Sequence, residues 1–147
     1  MTGQQDPLSR VKQWIGEWTT ETDTPAGKAR CTRRFSAVLG GAYVEMTVLW
    51  HFGGAGAPYE ERAYWGTSAS GSLAFWSFTS DGGHSAGEPI DVSDVDPDAV
   101  GLVAMMPAGR ARNAYWLAKG SELHWVAQAE TAKGWEVMMS HQYRRSG

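Results

Sequence analysis

The chain has 147 residues, 42% apolar and 20% charged, enough for one domain with its own core and too ordinary in composition for a disordered or fibrous protein. Thirteen Lys and Arg against sixteen Asp and Glu leave a net charge of −3, which offers no basic footprint for nucleic acid or an anionic membrane surface. No window approaches roughly 18 uncharged apolar residues, so no membrane-spanning helix is expected.

Met1 to Pro7 lack the basic and apolar regions of a secretory leader, and a cytoplasmic location is expected. The single cysteine, Cys31, has no internal disulfide partner and no CxxC metal motif, and is expected to be a buried strand residue. Eighteen glycines and eight tryptophans point to short strands, tight turns and a ring-lined interior.

The spacing of apolar residues predicts a short helix over about residues 7–15. Asp6 is placed to cap its first turn and Pro7 suits the first helical position. Leu8, Val11 and Ile15 recur at helical spacing with Trp14 alongside, and Gly16 is a helix stop.

Alternation then takes over. Strands are expected at 17–23, 28–36, 42–52, 59–67 and 73–79, divided by Thr24-Pro25-Ala26-Gly27, Gly53-Gly54-Ala55-Gly56 and Ser70-Gly71. The acidic stretch 84–98, broken by Pro89 and Pro97, reads as one weak strand and a loop that includes His84. Strands at 100–106, 111–118, 123–130 and 135–144 complete the series, the last ending near residue 145.

About ten short strands with turns every 8–12 residues are the signature of an all-β sandwich or barrel. Nearly every connection is hairpin length, so sequence neighbours should pair. An antiparallel meander of this length best removes its edges by closing on itself. The expectation is therefore a single domain over 1–147: an antiparallel up-and-down β-barrel with one short N-terminal helix packed against an end.

An eight-stranded barrel holds one small ligand, and a wider one leaves more room. The inward rings come from Trp50, Phe52, Trp65, Phe75, Trp76, Phe78, Tyr115, Trp116, Trp125, Trp135 and Tyr143, and several strands are apolar on both faces. His141 shares the face of Trp135, Val137, Met139 and Tyr143, whereas His51 and His124 lie opposite the more apolar face. The four histidines are not spaced as a zinc site. Glu17, Glu45, Glu60 and Glu61 lie on strands that can neighbour one another, and a buried one could act as general base. No nucleophile elbow, phosphate-binding loop, dinucleotide fingerprint or zinc-protease motif is present. Met105-Met106 and Met138-Met139 suit adaptable apolar packing.

The segment Trp14-Ile15-Gly16-Glu17-Trp18 resembles the opening of a calycin, the superfamily of lipocalins, fatty-acid-binding proteins and nitrobindins. Val38-Leu39-Gly40-Gly41-Ala42-Tyr43-Val44-Glu45, Gly56-Ala57-Pro58-Tyr59-Glu60, Phe75-Trp76-Ser77 and Gln142-Tyr143-Arg144 are similar to the uncharacterised bacterial DUF1579 family of lipocalin-like barrels. The chain departs from that pattern at Ala42, where an Arg is expected, and at Gly66-Thr67-Ser68, where a Tyr-Asp is expected. The resemblance implies a calycin-like barrel and no settled activity. Its nitrobindin side implies haem held by His141, and its fatty-acid-binding side implies an arginine anchor for a carboxylate, from Arg62, Arg112 or Arg144.

The leading expectation is a protein that binds a small, largely apolar or amphipathic molecule inside the barrel. Trp18, Trp50, Trp76, Trp125, His141 and Tyr143 are expected to face the cavity, with Arg62 or Arg112 as anionic anchor. The alternatives are a haem protein using His141, a small-molecule enzyme pairing His141 with a buried Glu, and a filled barrel serving as a scaffold. Barrels of this sort pair through an outer sheet face, so a homodimer stays open.

Overall fold

A computed structural model describes residues 6–24, 27–53, 58–119 and 121–146. The helix α1 spans Ser9–Lys12 and is followed by ten strands: β1 Gly16–Thr24, β2 Gly27–Val38, β3 Tyr43–Phe52, β4 Tyr59–Thr67 and β5 Leu73–Thr79, then β6 His84–Pro89, β7 Val100–Met106, β8 Gly109–Ala118, β9 Glu122–Thr131 and β10 Gly134–Arg145. Each strand pairs antiparallel with its sequence neighbour, and β10 returns to β1, closing the barrel. Of the predicted turns, residues 25–26 and 54–56 lie outside the described residues. His84, expected in a loop, opens β6 and pairs with Phe78.

The seam is short. β1 and β10 pair only at Trp18↔Arg145 and Thr19↔Arg144, although both strands run further.

The helix is tighter than its spacing suggested. After Lys12 N–H bonds to the Leu8 carbonyl, Gln13, Trp14 and Ile15 all donate to the residue three back. Such 3₁₀ bonding puts residues three apart in one row. Leu8, Val11 and Trp14 therefore form the buried row, and Ile15, expected on that face, is 38% exposed. Asp6 still caps the turn, its Oδ1 accepting from the Leu8 N–H at 2.9 Å.

This row closes one end of the barrel. The Trp14 ring meets Phe35, Trp65 and Tyr115 at centroid distances of 5.5–5.6 Å, and its carbonyl accepts from Trp18 Nε1 at 2.8 Å. Burying side chains of this size is worth about 1.5–3 kcal/mol each, so the plug is a main stabilising element. Gly16 turns the chain from plug to β1 at φ +135°, and a Cβ there would stand 2.6 Å from Arg145 Nη1. That guanidinium donates to the carbonyls of Ile15 and Gln13 and lies 4.2 Å from the Trp18 ring.

Alternation fixes the inward faces. On β2 these are Ala29, Cys31, Arg33 and Phe35, and on β3 Val44, Met46 and Val48, all buried. On β10 the register slips between Val137 and Met139, so Met138 has no β9 partner. Such a bulge moves every residue beyond it to the opposite face. Trp135 and Val137 therefore lie outside, not with His141 and Tyr143 as the simple alternation suggested, and Trp135 covers Arg112 at 4.8 Å.

The connection from β6 to β7 packs on the outer face. Val92 is 2% exposed, and a Cβ on Gly101 would stand 2.5 Å from the Ile90 carbonyl oxygen and 2.6 Å from Val92. Gly101 is what lets this segment lie flat against β7.

Candidate functional site

Away from the plug the barrel is hollow. A cavity of about 610 Å³ is lined by rings from four walls, Trp50, Phe75, Tyr115 and Trp125 among them, with Leu102, Ala104, Ala111 and Ala127 as small apolar lining. Small side chains on β7, β8 and β9 leave the space that the rings opposite do not fill. Phe52, Tyr59, Met106 and Met139 are exposed toward the end away from the helix.

A second recess of about 530 Å³ shares Trp50, Tyr59, Met138 and Met139 with this cavity and continues past Thr22, Asp23 and His141. It lies where β1 and β10 have parted, so the short seam produces a lateral extension of the cavity. A third recess, about 710 Å³, lies among polar side chains such as Glu17, Arg30, Glu122 and Arg144 on the outer face. It lacks the apolar lining and enclosure that fit a small-molecule site.

At the base of the cavity sits Arg33, 1% exposed. Nη1 donates to Met46 Sδ and the Tyr115 hydroxyl, both at 3.3 Å, and Nη2 to the Tyr143 hydroxyl at 3.2 Å. The guanidinium carbon is 4.8 Å from the Trp125 ring, 5.1 Å from Tyr143 and 5.6 Å from Tyr115. Burial pulls its pKa down, but Tyr143, Tyr115, Cys31 and Glu61 pull it up further, and the balance is upward. The charge is thus held by rings and hydroxyls. Among the described residues no carboxylate is within ion-pairing distance, and Nε has no hydrogen-bond partner. A buried donor of this kind costs free energy unless something accepts from it.

Tyr143, fully buried, donates to Cys31 Sγ at 3.3 Å. Burial is the main cause that pushes the Tyr115, Tyr143 and Cys31 pKa values up, to about 12 for Tyr115. Cys31 is a protonated core thiol, as expected. On the same wall, with Val48 between it and Arg33 in the register, Glu61, half-buried, accepts from Ser77 Oγ at 2.6 Å. Asn113 accepts from Trp125 Nε1 at 2.8 Å and so holds that ring.

His141 points inward as expected, its ring stacked on Trp125 at 5.5 Å and edge-on to Trp50 at 5.3 Å. Burial first, then the Arg33 charge, lowers its pKa, which favours the neutral imidazole. The fit to haem is incomplete. An axial histidine is oriented by giving its second ring N–H to an acceptor, whereas His141 makes no hydrogen bond among the described residues and is positioned by indole faces. The expected acid–base pair is not formed either, since Glu61 bonds Ser77, Glu45 accepts from Tyr64 on the outer face, and the charge felt by His141 is Arg33.

Of the eight residues singled out from sequence, Trp50, Trp125 and His141 line the connected recesses. Tyr143 faces inward but lies behind Arg33, holding it. Trp18 faces inward yet belongs to the plug, beneath α1. Trp76 is a correction: β5 turns Phe75 and Ser77 inward, which leaves Trp76 outside against Tyr43, 6.2 Å away. Arg62 is a second, since it shares the outer face with Phe78, is exposed, and pairs with Glu60 at 3.6 Å. Arg112 is a third. It is 4% exposed on the outer side of β8, where Nε donates to Gln128 at 2.6 Å, Nη2 to Asp94 at 2.5 Å and Nη1 to the Asp91 carbonyl. It anchors the β6–β7 connection, and its donors are spent there.

The interior cation is therefore Arg33, which the sequence reading passed over. Its signal was present: Arg33 is in phase with Ala29, Cys31 and Phe35, a charge in the apolar row of its own strand.

No known family model matches the chain, and no curated protein matches it. Among solved structures a similar one is titled as the de novo design of a fluorescence-activating β-barrel, at 17% identity over 92% of this chain and 95% of that chain, with a TM-score of 0.45. No helix among the described residues is long and apolar enough to cross a membrane. The barrel itself is established by the closed strand pairing of this chain.

Proposed function

We propose that this barrel binds a small, largely apolar molecule in the cavity, with an acceptor group of the ligand directed at Arg33. The observation that carries the reading is the pairing of an approximately 610 Å³ ring-lined cavity with a buried guanidinium whose Nε lacks a partner. A ligand carboxylate, phenolate or carbonyl would satisfy that donor through a charge-assisted hydrogen bond. Trp50, Trp125 and His141 would stack on its planar part. The calycin resemblance of Trp14 to Trp18 is compatible with this role and adds no chemistry to it.

Native mass spectrometry of the protein as isolated, followed by titration with the uncharged fluorophore N-phenyl-1-naphthylamine, tests the proposal. A released small molecule or saturable one-to-one dye binding supports it. A bare mass together with no saturable binding overturns it.

A further inference from the structure

The cavity carries two fixed charges of opposite sign that do not touch. Arg33 comes from β2 and Glu61 from β4, both line the cavity, and they are not within ion-pairing distance. Each is held in place by neighbours of its own. Arg33 is fixed by Tyr115, Tyr143 and Met46, and Glu61 by Ser77. Two complementary charges in a low-dielectric interior gain by pairing unless something holds them apart. Here Ser77 engages one oxygen of Glu61, and the other oxygen has no protein donor among the described residues. Arg33 Nε is likewise without an acceptor. Arg33 and Glu61 thus bring to the cavity one buried donor without an acceptor and one available carboxylate oxygen, with the rings of Trp50, Phe75, Tyr115 and Trp125 around them.

We infer that the ligand is a compact aromatic molecule with two polar groups, an anionic acceptor that meets Arg33 and an O–H or N–H donor that meets Glu61. This rests on the small-molecule reading above and narrows it. A purely apolar guest would leave both poles unsatisfied, and a simple monoanion would meet Arg33 while facing the Glu61 carboxylate. A guest carrying both groups bridges the poles and satisfies each at once. Discrimination of this kind comes from the buried polar groups that a lesser ligand leaves unpaired.

Isothermal titration with four probes tests it: naphthalene, 2-naphthol, 2-naphthoate and 6-hydroxy-2-naphthoate. The wild type is expected to bind 6-hydroxy-2-naphthoate at least tenfold more tightly than either 2-naphthol or 2-naphthoate. Glu61→Met should remove the advantage of the hydroxyl to within about threefold while binding 2-naphthoate at least as tightly as the wild type. Arg33→Met should remove the advantage of the carboxylate. Arg33→Lys, which keeps the charge, stands in if Arg33→Met does not fold, and should retain part of that advantage. Four probes of equal affinity, or a hydroxyl advantage that survives Glu61→Met, would overturn the inference and leave the apolar cavity standing. No binding of any probe would instead count against the small-molecule reading itself.

Discussion

Tyr143 accepts a hydrogen bond from Arg33 Nη2 at 3.2 Å and donates its own hydroxyl hydrogen bond to Cys31 Sγ at 3.3 Å, so an interior charge is held by a neutral chain. A charge solvated only by hydroxyls, a thioether and rings is costly to bury. Replacing such a group by an apolar one of similar volume is often neutral for stability. Arg33→Met is accordingly expected to change unfolding free energy by no more than about 1 kcal/mol in a denaturant titration. A loss of about 3 kcal/mol or more would make Arg33 a structural element of the core.

Alkaline pH should weaken the fold through the same cluster. Burial raises Tyr115 from 10.0 to about 12, and Tyr143 is raised as well. Between those values the unfolded chain loses phenolic protons that the folded chain keeps, so the stabilising contribution is complete below pH 10 and is lost as pH rises toward 12. Denaturant midpoints measured across that range should fall, and Tyr115→Phe should flatten the fall. An unchanged slope in the variant would show that Tyr115 does not titrate late.

His141 should act at the opposite end of the scale. Its pKa lies below the ordinary 6.5, because of burial and then Arg33. The unfolded chain therefore takes up the proton first, and stability present above 6.5 declines as pH falls through the folded value. His141→Phe should remove that part of the acid decline, as followed by thermal unfolding. The same decline in the variant would assign it to other groups.

Arg112 illustrates how much of the site was legible in the sequence. Strand positions followed from alternation and turn chemistry, both of which are carried by local residues. Which face looks inward was harder. On β5 both Phe75 and Trp76 are large and apolar, so the strand alone does not choose between them. On β10 the bulge at Met138 reverses the faces, and no turn residue marks it. Arg112 is buried because residues 90–99 and the Trp135 ring cover it on the outer wall, long-range contacts with no local signature. Arg33 was legible through its phase with Cys31 and Phe35, but the adjoining Arg34 and nearby Arg30, on the opposite face, hid it in a run of arginines.

Those placements separate stability from binding. Arg112→Ala removes the partner of Gln128, Asp91 and Asp94 from beneath Trp135, and should cost about 2–3 kcal/mol in stability with ligand affinity kept. Trp76→Ala, on the outer wall, should leave dye affinity within twofold. A tenfold loss of affinity in Trp76→Ala would mean that the outer face contributes to the site.

The central claim is an interior that admits a guest, and filling it tests that claim most directly. Ala104 lines the cavity on β7, and Ala104→Trp should occupy the space while circular dichroism shows the barrel intact. Titration with N-phenyl-1-naphthylamine is predicted to give saturable one-to-one binding in the wild type and at least a tenfold weaker signal in the folded variant. Equal binding by both proteins would place the guest somewhere other than inside the barrel.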